Sequence, residues 1–140
     1  MNNDKLIICV DFDGVIHDYF KGWQNGEIYG EVLPGFFEWA KSAKKDFDIV
    51  IYSSRSKDET MRLTMINWLF DRYAAWQFGQ KNSVSPDDCE DSFNYLFTFS
   101  NEKPAAFLTI DDRVICFKGD WYSSELSAES IKSFKPWNKQ

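Results

Sequence analysis

The sequence predicts an α/β protein in which a doubly wound, mainly parallel sheet lies between helices as a three-layer core. Apolar, strand-like runs alternate with segments of helical periodicity, which is the pattern of βαβ units. Several of these runs end directly in acidic or hydroxyl side chains, as strands do at the carboxyl edge of a parallel sheet. A length of 140 residues, with no repeat and no Pro/Gly-rich linker, predicts a single domain over residues 1–140.

The first strand is predicted over residues 5–10, directly before Asp11 and Asp13. Residues 19–30 contain Asn25-Gly26, a strong turn signal between two short β-like stretches, and are expected to form a small flap hairpin. A helix is expected after Gly35, where apolar side chains recur on one helical face.

The second strand is predicted over residues 48–52 and ends at Ser53. Ser56 and Glu59 have the spacing of a capping box, which predicts that the next helix begins there. That helix carries one apolar stripe, made of Met61, Met65, Trp68 and Leu69. Residues 77–91 are polar and are expected to be irregular, with a turn at 86–88.

The third strand is predicted over residues 105–110 and leads into Asp111 and Asp112. A short fourth strand is expected over residues 114–117, and a short helix over 127–134. The segments between the strands are too short for a large cap domain. A site without a lid suits a bulky substrate, a polymer end, or completion by another subunit.

The amino-acid composition favours some classes of protein and disfavours others. Hydrophobic residues make up 44% of the chain, which is enough for a globular core and argues against disorder. A net charge of −6 disfavours an extended nucleic-acid footprint and suits a site that binds a divalent cation. Three cysteines, two of them in apolar runs, are expected to be reduced packing residues. With no signal-peptide pattern and no membrane-spanning run, we expect a cytoplasmic protein without membrane partners.

The candidate site residues share one property, which is a place at or beside the end of a predicted core strand. They are Asp11, Asp13, Ser53, Lys103, Asp111 and Asp112. Because the carboxyl ends of parallel strands meet at one edge of the sheet, we expect these side chains to converge. Four carboxylates in one place are electrostatically costly without a cation, and hard oxygen ligands suit Mg²⁺. A hydroxyl and an ammonium group can bind phosphate oxygens.

In these residues and their order, the chain resembles the haloacid dehalogenase superfamily. The matching motifs are DFDGV at 11–15, IVIYSSR at 49–55, Lys103, and TIDDR at 109–113, and they occur in the family's order across most of the chain. The combination of Ser-x-Arg with Asp-Asp-Arg is most similar to phosphatases without a cap domain. Among these is the phosphatase half of phage-type polynucleotide kinases.

The resemblance implies a Rossmann-like core and a phosphatase mechanism through an aspartyl-phosphate. Asp11 would be the nucleophile, and Asp13 would protonate the leaving oxygen and later activate water. Mg²⁺ would be held by Asp11, the backbone carbonyl of Asp13, and Asp111, with support from Asp112. Ser53 and Lys103 would hold the transferring phosphoryl group.

Other residues are expected nearer the substrate. By the same resemblance Ser54, Arg55 and Arg113 are substrate contacts. Trp23, in the predicted flap, either stacks on a substrate ring or anchors the hairpin. His17 is expected to be structural, and the acidic run at 87–91 to be a solvated loop.

Two other functions use similar residues. A non-catalytic phosphate- or metal-binding module would keep the same scaffold, although no position needed for catalysis is missing. A phosphoacceptor receiver domain would place a lone Asp where the second strand ends in Ser53 and Ser54. The substrate stays open between a nucleotide, a polynucleotide end, a sugar phosphate and another bulky phosphate ester. The oligomeric state is also open.

Overall fold

The computed structural model describes residues 4–80 and 85–139 and contains one four-stranded parallel sheet. Its strands are β1 Leu6–Val10, β2 Phe47–Ile51, β3 Phe97–Phe99 and β4 Leu108–Ile110. Its α-helices are α1 Phe36–Ala43, α2 Glu59–Phe78, α3 Pro86–Leu96 and α4 Ala128–Lys132, with 3₁₀ turns at Ser124–Leu126 and Trp137–Lys139. The predicted α/β class with a parallel sheet is confirmed.

The strand order β3-β2-β1-β4 places β1 between two parallel neighbours. Val10, the last residue of β1, is in register with Ile51 of β2 and with Ile110 of β4. Three strands therefore end at the same level, and the residues that follow them emerge side by side. The predicted convergence at one sheet edge thus rests on this register.

The core lies on one face of the sheet. Ile8, Val10, Ile49 and Ile51 point to this face, and the buried side chains of α1, α2 and α3 pack against them. Because alternate residues of a strand face opposite sides, Cys9 and Val50 point the other way. Each fully buried aliphatic or aromatic side chain contributes about 1.5–3 kcal/mol, so this cluster is the main source of stability.

The opposite face is covered differently. The chain returns from β3 to β4 through residues 100–107, and Lys103 lies within electrostatic range of the Cys9 thiol on that face. Within the described residues, α4 contributes nothing to the core cluster. The cluster therefore contains one helical layer, and the three-layer arrangement stays a prediction.

The second half of the chain differs most from its prediction. Residues 86–96 form helix α3 rather than a turn and an irregular segment, because Ser85 caps its amino end and Pro86 occupies its first turn. The next three residues form strand β3, and no strand was predicted there. Residues 114–117 form no strand, and Cys116 is exposed rather than packed.

Helix α2 begins two residues later than the capping box predicted, since that pattern places the N-cap at Ser56. Asp58 is its N-cap, and the Asp58 carboxylate accepts a hydrogen bond from the backbone N–H of Met61. Ser56 instead turns its hydroxyl back to accept a hydrogen bond from the backbone N–H of Ser53. The predicted apolar stripe is otherwise right, since Met65, Trp68 and Leu69 are buried.

Residues 19–30, which we call the flap, form a compact loop rather than a hairpin of paired strands. The predicted turn is present, with positive φ angles at Asn25 and Gly26 and a backbone hydrogen bond from Glu27 to Gln24. The hydroxyl of Tyr29 braces the loop by accepting from the Lys21 N–H and donating to the Gly22 carbonyl. The turn was therefore predicted correctly from the sequence, but the paired strands predicted on either side of it do not form.

None of the helices in the described part of the chain is long and apolar enough to cross a lipid bilayer.

Removing a core side chain of α2 should destabilise the fold. Leu69 is 0% exposed, so Leu69→Ala is expected to lower the free energy of unfolding by about 2–5 kcal/mol. Leu63, on the same helix, is 49% exposed, and Leu63→Ala should change it by no more than about 0.5 kcal/mol. Urea unfolding of both variants measures the difference, and equal losses would contradict the placement of the core.

Candidate active site

The loop after β1 presents its two carboxylates at the sheet edge. The backbone N–H of Asp11 still donates to the Ile110 carbonyl of β4, at 3.0 Å. The carbonyl of buried Phe12 then accepts from three successive backbone N–H groups, those of residues 15–17. This tight turn anchors Phe12 in the core, so Asp11 and Asp13 on either side of it project away from the core.

Asp11, Asp111 and Asp112 form an acidic trio. One carboxylate oxygen of each lies within 4.8 Å of those of the others. The Asp112 side chain is 2% exposed, and neither of its oxygens accepts a hydrogen bond from a described residue. The nearest opposite charge is Arg113 Nε, 3.7 Å from Asp112 Oδ2. A buried carboxylate without hydrogen bonds is costly, and a hard divalent cation among the three would compensate it.

The electrostatics of the trio point the same way. Burial, followed by repulsion from Asp111, Asp112 and Asp13, raises the pKa of Asp11 to about 8. Burial is also the main reason why the pKa of Asp112 is raised. Asp11 and Asp112 therefore resist carrying negative charge side by side, and a cation between them would relieve this repulsion.

Asp13 has a different environment from the trio. Its carboxylate accepts hydrogen bonds from Arg55 Nε at 2.8 Å, from Arg55 Nη2 at 3.2 Å, and from His17 Nδ1 at 2.8 Å. Burial alone would raise the pKa of Asp13, but these hydrogen bonds and the charge of Arg55 lower it below its ordinary value. Two neighbouring carboxylates thus have oppositely shifted pKa values, as groups with different chemical tasks do.

An open cavity of about 330 Å³ lies over Asp11, Asp13 and Asp112. Its other walls are Tyr19, Gly22 and Trp23 of the flap, together with Ser54 and Arg113. Trp23 is 53% exposed, and its ring also lies 5.1 Å from the guanidinium carbon of Arg55. Trp23, within the flap, therefore packs on Arg55 and also lines the cavity, and its stacking on a substrate ring stays a prediction.

The predicted phosphate ligands lie outside that lining. Ser53 is buried, and its hydroxyl accepts from the Arg55 N–H and lies 3.8 Å from the sulfur of Met65. Lys103 is exposed on the return segment, within electrostatic range of Cys9. Ser54, which was predicted as a substrate contact, does line the cavity. Arg55 is 1% exposed and donates to Asp13 and to the Gly26 carbonyl, so its guanidinium is occupied within the protein.

Three contacts at or near the site were not predicted from the sequence. His17 was interpreted as structural, yet it donates directly to Asp13. Trp137, near the end of the chain, donates its indole N–H to the Gly14 carbonyl at 2.7 Å, and Lys139 donates to the Phe20 carbonyl at 2.8 Å. The nearness of His17 to Asp13 in sequence was an available signal for the first. The second joins residues 123 positions apart and left no local signal.

Fold and site together define an α/β protein with a cluster of three carboxylates, close enough together to hold a metal ion, at the carboxyl edge of a parallel sheet. Comparisons of the chain with models of protein families, with curated proteins and with solved structures gave no match.

Gly14 should be essential to the trio. Its φ is +82°, and an added Cβ would lie 2.2 Å from Asp112 Oδ2, so Gly14→Ala is expected to displace Asp112 and to weaken cation binding at least about tenfold. Gly119 has a φ of +86° with nothing within 4 Å of a Cβ, so Gly119→Ala carries the same backbone strain without the clash. Calorimetric Mg²⁺ titration of both variants measures this, and similar losses would show that strain alone is responsible.

Cation binding should depend on pH, because a cation among the trio must displace a proton from Asp11. Between the ordinary pKa near 3.8 and the raised value of about 8, the folded metal-free chain binds more protons than the unfolded chain. Its stability therefore falls as pH rises through this window, and the loss is complete above about pH 8. Mg²⁺ affinity should rise by up to about tenfold per pH unit and level off above about pH 8.

Thermal unfolding with and without Mg²⁺, from about pH 6 to about pH 9, tests this dependence. Asp11→Asn is the control, because it removes the titrating group and should flatten the Mg²⁺-dependent shift in Tm. An equal Mg²⁺ shift at every pH in the parent protein would contradict the crowding of charge at Asp11.

Proposed function

We propose that this chain is a Mg²⁺-dependent phosphomonoesterase of the haloacid dehalogenase type, with a Rossmann-like core and no large cap domain. The proposal rests on one observation, which is that two carboxylates at one cavity have different neighbours. Asp11 lies in a trio that calls for a cation, whereas Asp13, two residues away, is held separately by Arg55 and His17.

The cation would be held by Asp11, the backbone carbonyl of Asp13, Asp111 and Asp112, and would neutralise charge on the phosphoryl oxygens. The donor set fits Mg²⁺, since it consists of carboxylate and carbonyl oxygens with room for water. The buried, unpaired oxygens of Asp112 support this assignment.

Asp11 is the nucleophile in the proposed reaction. One of its oxygens bonds to phosphorus while the bond from phosphorus to the ester oxygen breaks. Asp13 must carry a proton at this step, although Arg55 and His17 lower its pKa in the free protein, and it gives that proton to the leaving oxygen. Asp13 then removes a proton from water, which attacks phosphorus and releases inorganic phosphate and free Asp11. Ser54 and Arg113 line the cavity and are the nearest candidates to contact the phosphoryl oxygens. Ser53 and Lys103, the phosphate ligands implied by the resemblance, are not among the residues that line the cavity.

The cavity favours a phosphate ester that extends beyond the site. It is open to solvent, and its rim carries the aromatic rings of Tyr19 and half-exposed Trp23. A nucleotide or a polynucleotide end would stack on these rings. The net charge of −6 favours contact with a few nucleotides over a long footprint. The proposal places the protein in the cytoplasm, where Mg²⁺ is available and its three free cysteines stay reduced.

Phosphate release from an aryl phosphate should require Mg²⁺ and be abolished by a chelator. Asp11→Asn should lower kcat by at least about 10³-fold, because it removes the nucleophile while keeping the side chain's shape. Asp58→Asn is the matched control, since Asn caps α2 as well as Asp does and Asp58 lies at an exposed helix end. It should leave kcat unchanged.

The enzyme proposal is wrong if the parent protein binds Mg²⁺ but shows no phosphate release that the Asp11→Asn substitution abolishes. Such a protein would be a binding module on the same scaffold. If turnover is found, a panel of nucleotides, oligonucleotide ends and sugar phosphates identifies the substrate class by kcat/KM.

A further inference from the structure

His17 is the single histidine of the chain and is 0% exposed. Its imidazole is enclosed by the rings of Phe12, Tyr19, Tyr29 and Trp68, at centroid distances of 5.1 to 5.9 Å. An imidazole in such an apolar cage must satisfy both ring nitrogens through hydrogen bonds, because water does not reach them.

The two hydrogen bonds of His17 fix where its proton lies. The backbone N–H of Gly30 points at Nε2 at 2.9 Å, and an N–H group can only donate. Nε2 is therefore the acceptor, and the proton of the imidazole is on Nδ1. Nδ1 then donates to Asp13 Oδ1 at 2.8 Å. His17 thus connects the flap backbone to Asp13 in one defined tautomer.

Arg55 makes a parallel connection. Its Nε and Nη2 hold both oxygens of Asp13, and its Nη1 donates to the Gly26 carbonyl of the flap at 2.7 Å. The guanidinium carbon also lies 5.8 and 5.1 Å from the ring centroids of Phe12 and Trp23. Bidentate geometry and contact with two rings leave the arginine little freedom to turn.

Asp13 and the flap therefore belong to one hydrogen-bonded network. Both partners of Asp13 have their remaining contact on the flap backbone, at Gly26 and at Gly30. The same flap supplies Tyr19, Gly22 and Trp23 to the cavity wall. A substrate that fills the cavity must touch the segment that determines the position of Asp13.

We propose that His17 and Arg55 are positioning residues that couple the Asp13 carboxylate to the flap, so that proton transfer by Asp13 depends on the flap. The role of Asp13 in this statement rests on the proposed phosphatase function, whereas the network itself does not. Small displacements of a proton-transfer group lower rates strongly, which is why a group with three hydrogen bonds is suited to the task.

The network is tested first by spectroscopy on the metal-free protein. Because there is one histidine, a long-range ¹H–¹⁵N spectrum contains one imidazole, and we expect Nδ1 protonated and Nε2 unprotonated. Gly30→Ala would place a Cβ 2.2 Å from the Asp18 carbonyl and 3.0 Å from His17 Nε2, and should change this spectrum. Gly119→Ala should not. A proton on Nε2 in the parent protein overturns the proposal.

The positioning role is tested with two phosphate esters. An aryl ester with a good leaving group needs little protonation, whereas an alkyl ester needs a proton from Asp13. Arg55→Lys should therefore lower kcat for the alkyl ester at least about tenfold more than for the aryl ester, since positioned proton transfer contributes about 10²–10⁴-fold. Arg62 also donates to a backbone carbonyl, that of Ser56, but not to Asp13, so Arg62→Lys is the matched control. It should lower both rates equally or not at all.

Variants of His17 separate positioning from packing. The amide nitrogen of Asn takes the place of Nδ1 and can still donate to Asp13, whereas Leu suits the aromatic cage but donates nothing. Coupling predicts that His17→Asn retains more alkyl-ester activity than His17→Leu, and a purely structural role predicts the reverse order. Equal losses on both esters for Arg55→Lys would also overturn the proposal. A parent protein without any turnover would defeat the phosphatase function instead, and the imidazole spectrum would still decide whether the network exists.

Discussion

The structure depends on how negative charge is managed at the carboxyl edge of the sheet. Asp11, Asp13, Asp111 and Asp112 emerge there from the ends of β1 and β4, which are neighbouring strands in register. The charge of Asp13 is compensated by Arg55, and with the hydrogen bond from His17 this lowers the pKa of Asp13. The charge of Asp11 has no such partner, and burial with the nearby carboxylates raises the pKa of Asp11 to about 8. The protein therefore favours the ionised form of Asp13 and leaves the negative charge of the acidic trio without a compensating group.

The remaining parts of the fold hold this arrangement in place. Phe12 is buried in the core cluster and fixes the turn between the two carboxylates. Gly14 leaves space that Asp112 occupies, and its carbonyl accepts the indole N–H of Trp137. The 3₁₀ turn at Trp137–Lys139 thus contacts the loop that follows β1. A change at Phe12, Gly14 or Trp137 would therefore alter the position of the loop that carries Asp11 and Asp13.

The flap is a short loop that forms part of the cavity wall and also contacts both partners of Asp13. In the proposed function, an open site of this kind would admit a long or bulky ester while still positioning the proton-transfer group. The proposed coupling through His17 and Arg55 gives the flap a catalytic consequence without closure.

The sequence by itself determined the α/β class, the places of β1, β2, α1 and the apolar stripe of α2, because hydrophobic periodicity and turn residues act locally. It also brought Asp11, Asp111 and Asp112 together, since the carboxyl ends of parallel strands share one edge. It missed α3 and β3, where capping by Ser85 and pairing with β2 prevailed over a polar composition.

Only the tertiary structure decided the partners of each group. It turned Ser53 inward toward Met65, placed Ser54 on the cavity, and joined Arg55 and His17 to Asp13. Such choices depend on side-chain directions and on contacts between residues far apart in the chain, which strand and helix patterns do not specify.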